Sequence, residues 1–96
     1  MYARVTKFSM NMQKFEESMN LLEEIRGQIN AIPGLISIVH TVQRDTGNGM
    51  TVAVYPDEAV ANAALETVKG IWGRFAEFMT GPPEMTGYEV IHHHHK

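Results

Sequence analysis

The chain has 96 residues, 44% of them apolar and 20% charged, with a formal net charge of −3 and no cysteine. That is the size of one domain; disulfides, thiolate catalysis and cysteine-held zinc are excluded, and the acidic balance argues against nucleic acid as a partner. No apolar run approaches the ~18 residues of a membrane span, and no signal peptide precedes the first strand pattern, so the expected compartment is the cytoplasm.

Tyr2 to Ser9 alternates, with Tyr2, Arg4, Thr6 and Phe8 on one side and Ala3, Val5, Lys7 and Ser9 on the other; this is a strand. Asn11 offers an N-cap. From Met12 to about Asn30 the apolar residues Met12, Phe15, Met19, Leu22, Ile25 and Ile29 fall at the spacing of one helix face. The glutamates opposite them read as a solvated face. Pro33-Gly34 ends the segment.

Leu35–Arg44 and Met50–Tyr55 read as two strands of a hairpin, joined by Asp45-Thr46-Gly47-Asn48-Gly49, where Gly and Asn readily take positive φ. Asp57 caps a second helix running to Met79, with Gly70 and Gly73 as the places where it is expected to bend or break. Gly81-Pro82-Pro83 is a loop, and Thr86–Ile91 a last strand. Residues 1–91 thus form one domain, and 92–96 a histidine-rich tail set aside from the fold.

The order is β-α-β-β-α-β, an α+β fold of the ferredoxin-like kind with a four-stranded antiparallel sheet. Two helices cover only one face of such a sheet. The hairpin strands are nevertheless apolar on both sides: Ile36, Ile38 and Val42 oppose Leu35 and Val39, and Met50, Val52 and Val54 oppose Ala53 and Tyr55. A sheet apolar on both faces needs cover on both. A second copy of the chain is the economical cover, so a homodimer through the sheet face is expected.

Ile32-Pro33-Gly34-Leu35 and Val52-Ala53-Val54-Tyr55-Pro56-Asp57-Glu58-Ala59 resemble the dimeric α+β barrel superfamily, specifically its antibiotic-biosynthesis-monooxygenase-like domains. Tyr55 stands where that family usually has a tryptophan. The resemblance implies two sheets facing each other across a dimer, helices outside, and a pocket between helices and sheet in each subunit. Some members of that superfamily oxidise polyphenolic substrates with O₂ and no cofactor, others degrade haem, and many have no assigned function. Positions that would carry the haem-degrading asparagine, tryptophan and histidine hold Thr6, Ala64 and Arg74, so haem degradation is argued against.

The candidate catalytic residues are His40, Arg4 and Tyr55, with Thr6, Phe8, Trp72 and Phe75 as candidate substrate contacts. Ser37 and His40 fall on opposite strand faces, so they are no nucleophile–base pair. His40 has two readings: a neutral histidine hydrogen-bonded within the sheet, which is the one expected, or a general base. Arg4, inside a strand, needs a carboxylate partner or solvent, and otherwise serves as an anion clamp. No cofactor or metal is implied. The expected function is that of a small-molecule-binding protein resembling cofactor-independent monooxygenases, acting on a small apolar or aromatic ligand. The alternative is a non-enzymatic dimeric ligand-binding or assembly module with a solid core. An open cavity on which two or more of the polar candidates converge favours the first.

Overall fold

A computed structural model describes all 96 residues. Strand β1 (Tyr2–Ser9) is followed by a 3-10 turn, Met12–Lys14, and by helices α1 (Phe15–Glu24) and α2 (Arg26–Asn30). The hairpin β2 (Ser37–Val42) and β3 (Asn48–Tyr55) comes next, then helices α3 (Glu58–Ala63) and α4 (Leu65–Arg74), a 3-10 turn at Ala76–Phe78, and β4 (Glu84–Glu89). The four strands form one sheet in the order β2-β3-β1-β4, with every pairing antiparallel. No helix is long and apolar enough to cross a membrane.

The caps read from the sequence are made. Asn11 Oδ1 accepts from Gln13 N at 3.1 Å, and Asp57 Oδ1 accepts from Val60 N at 2.8 Å. The helices break elsewhere than expected. The first run is interrupted at Ile25 and the second at Ala64, which are 1% and 0% exposed. Gly70 and Gly73 lie inside unbroken α4, solvent-exposed, with open space where a Cβ would be. Each helical run is thus interrupted at a buried residue, and Ile25, Ile29, Ala61 and Ala64 all belong to the core.

The hairpin is tighter in register than its composition suggests. Asn48 and Gly49 belong to β3, and of the turn residues only Gly47 has positive φ, at 80°. Its N–H bonds to Gln43 O at 2.8 Å, while Met10 N bonds to Gly47 O at 2.8 Å, fastening the turn to the end of β1. A Cβ on Gly47 would run into the Met10 carbonyl. β4 begins two residues before the predicted Thr86 and ends at Glu89.

Cross-strand partners share a face. On the helix-covered face the rows are Arg4–Ala53–Ile38, Thr6–Thr51–His40 and Phe8–Gly49–Val42. On the other face lie Val5, Val39, Met50, Val52 and Val54. Ile36 departs from the expected alternation. Its N–H bonds to Val54 O at 2.8 Å although Ser37 is already paired with Val54. Two residues facing one is the pattern of a β-bulge. It turns Ile36 out of the core, 53% exposed, while Leu35 packs inward. Val39, Met50 and Tyr88 are also exposed, at 55%, 39% and 50%, so the open face is apolar as read.

Two glycine substitutions separate these environments. Gly47→Ala is expected to cost roughly 2 kcal/mol, from the left-handed backbone and the Met10 contact. Gly70→Ala is expected to add about 0.5–1 kcal/mol, because it only removes unfolded-state freedom. Urea midpoints at one fixed protein concentration test both; equal effects would contradict the turn geometry.

Candidate functional site

Between the helix-covered face of the sheet and the helices lies a cavity of about 210 Å³. Seven residues singled out from sequence, Arg4, Thr6, Phe8, His40, Tyr55, Trp72 and Phe75, all line it. Alternation explains the five on strands, since each occupies the same side of β1, β2 or β3. Trp72 and Phe75 come down from the end of α4.

The aromatic wall is continuous. Phe8 and Trp72 have ring centroids 5.4 Å apart, Trp72 and Phe75 6.3 Å, and Phe75 and Phe78 6.3 Å. Phe8 can lie flat across the sheet because its row partner is Gly49; a Cβ there would collide with the Phe8 ring. Helices α1, α2 and α4 contribute only apolar side chains, among them Phe15 and Met19, and Met10 and Met79 extend that wall.

The floor is polar. Thr6 and Thr51 are 2% and 3% exposed and sit side by side in the row that ends at His40. His40 Nδ1 lies 3.0 Å from Thr51 Oγ1, and the hydroxyl can accept from Nδ1–H or donate to a bare Nδ1. His40 remains solvent-reachable at the edge strand, while burial of its ring lowers its pKa below 6.5 and favours the neutral imidazole.

Arg4 and Tyr55 form a second polar group, one to two rows away. Of the two readings for Arg4, a carboxylate partner or solvent, the carboxylate is absent. Its Nη2 donates to Asn62 Oδ1 on α3 at 2.8 Å, and its guanidinium lies 5.7 Å from the centroid of the Tyr2 ring. Tyr55 is 1% exposed. Burial raises its pKa above 10, and the nearby Arg4 charge works against that rise. The phenol is therefore neutral at physiological pH and offers a proton to a ligand acceptor. No buried side-chain polar atom of the chain lacks a partner, so neither the Tyr55 nor the Thr6 hydroxyl is sealed in without one.

Three participants were missed in the sequence reading. Thr51 was legible: it shares its side of β3 with Ala53 and Tyr55. Asn62 was not, because its pairing with Arg4 spans 58 positions. Arg44, in the hairpin turn, lies with its guanidinium 4.4 Å from the centroid of the Phe15 ring, closing the turn onto the cavity wall. A wider depression, lined in part by Lys7, Asn48 and Glu84, includes none of Arg4, His40, Thr51 and Tyr55.

No family model matches the chain, and no curated protein matches it by sequence. Solved structures do match. A monooxygenase of Streptomyces coelicolor in complex with nanaomycin D superposes with a TM-score of 0.76 at 13% identity, over 99% of this chain and 91% of that one. An antibiotic biosynthesis monooxygenase gives 0.74 at 11% identity, over 95% and 99%. A protein of unknown function from Nitrosomonas europaea gives 0.76 at 16% identity, over 99% and 93%. The chain therefore has the ferredoxin-like α+β fold of the antibiotic-biosynthesis-monooxygenase-like domains, as its sequence resembles.

The His40 environment makes stability depend on pH. With the folded pKa below the unfolded value of about 6.5, the contribution is fully present above pH ~6.5 and is lost as pH falls through the folded pKa. His40→Gln removes the titration. Its urea midpoint is expected to fall less than that of the wild type between pH 7.5 and 5, at a cost of about 1 kcal/mol at neutral pH from the lost hydrogen bond. Parallel curves would contradict the burial of the ring.

Proposed function

We propose that the chain binds a small aromatic molecule bearing an ionisable hydroxyl and oxygenates it with O₂ without a cofactor, as the fold resemblance implies. The observation that carries this reading is an open cavity, about 210 Å³, with Arg4, His40 and Tyr55 among its lining residues. A solid core would have favoured an assembly module. Neutral His40 takes the hydroxyl proton, and the phenolate is held by the donors of Arg4 and Tyr55. The phenolate passes one electron to O₂, and the radical pair joins as a peroxide at a ring carbon. Loss of water, using the hydrogen on that carbon, leaves a quinone. One phenol and one O₂ give one quinone and one water.

The test is oxygen uptake with a panel of electron-rich phenols, naphthols and anthrones. Uptake matching substrate consumed is expected, with His40→Gln lowering kcat by roughly 100-fold. No uptake on any member, or full activity in His40→Gln, would overturn the reading.

We also infer that a second copy covers the open face. Support comes from the exposed Ile36, Val39, Met50 and Tyr88, grouped on the one side that no helix covers. Val52→Asp and Val54→Asp are expected to leave the protein aggregated and low in helix content. Well-folded monomers of both, by light scattering and circular dichroism, would sink the inference.

A further inference from the structure

A histidine that takes a proton at Nε2 needs an acceptor for Nδ1–H, because the bond at one ring nitrogen decides which form the other presents. Buried base histidines commonly have a carboxylate or a backbone carbonyl in that place. Here no carboxylate lines the cavity, and the charged and titratable groups sharing it with His40 are Arg4 and Tyr55. The polar atom within hydrogen-bond reach of Nδ1 is Thr51 Oγ1, at 3.0 Å, on a residue 3% exposed.

We propose that Thr51 is a positioning residue that accepts Nδ1–H of His40 and so leaves Nε2 bare toward the cavity. This rests on the function proposed for the same pocket, and it adds what that function does not specify. Row pairing fixes the geometry: His40 and Thr51 are direct cross-strand partners, so the ring and the hydroxyl are held by the sheet itself. Thr51 is in turn the direct partner of Thr6. A neutral hydroxyl has a consequence that a carboxylate would not. It orients the ring without stabilising the imidazolium by opposite charge, so the histidine stays a weak base. The site then suits a hydroxyl that ionises readily.

The experiment is ¹⁵N NMR of the His40 ring in the full chain at pH 7.5, with His40→Gln used to identify its signals among those of the tail. The wild type is expected to carry its proton on Nδ1. Thr51→Ser, which keeps the hydroxyl, retains that form, whereas Thr51→Val, close in shape, shifts the ring to the Nε2–H form preferred by free imidazole. Circular dichroism verifies that each variant is folded; if Thr51→Val is not, the wild-type spectrum decides alone. A wild-type ring protonated on Nε2, or a tautomer unchanged in folded Thr51→Val, overturns the assignment. The spectrum needs no substrate. A wild type that shows the Nδ1–H ring but no oxygen uptake therefore overturns the oxygenase reading and leaves the role of Thr51 standing.

Discussion

The pairing of β1 with β3, from Tyr2 opposite Tyr55 to Ser9 opposite Asn48, decides which side chains can meet. A slip of one residue would send Arg4, Thr6 and Phe8 to the open face and bring Val5 and Lys7 under the helices. Several local features hold the register. Gly49 leaves room for the Phe8 ring, and the Met10–Gly47 hydrogen bond ties the end of β1 to the hairpin turn. With β1 so placed, β2 pairs on the far side of β3 and carries His40 to the row of Thr6 and Thr51. The site is a property of the central strands, with the helices supplying its roof.

That arrangement puts hydrogen-bonding groups in a place that is otherwise apolar. Buried hydroxyls and an arginine cost free energy unless they are partnered. The sheet and α3 partner some of them: Thr51 with His40, Arg4 with Asn62. The Thr6 and Tyr55 hydroxyls keep their hydrogen-bonding capacity for whatever occupies the space. A packing defect, by contrast, would be lined by hydrocarbon alone.

Much of this could be read from the residues. Period-two alternation in Tyr2–Ser9 and Met50–Tyr55 located the strands and their inward sides, and so brought the strand residues of the site to one face. Capping chemistry located Asn11 and Asp57. What escaped was set by contacts distant in sequence. The helix breaks fall at Ile25 and Ala64 because those residues are pressed against the sheet, whereas local propensity pointed to Gly70 and Gly73. The bulge at Ile36 arises from the Val54 carbonyl, which no pattern within β2 encodes. The partner of Arg4 is an amide on α3, 58 positions away, which no local pattern in β1 encodes.

Met10, Met19 and Met79 give the cavity wall a character of its own. Thioether chains are unbranched and polarizable, and they re-pack around differently shaped neighbours at little cost. The polar floor, held by the sheet, is rigid by comparison, while the wall tolerates variation in outline. Such a wall is also chemically sensitive at its sulfurs. Each methionine converted to its sulfoxide places a polar, stiffer group where a flexible apolar one stood. The adaptable lining is thus also the part of the cavity whose shape and polarity an oxidant would change.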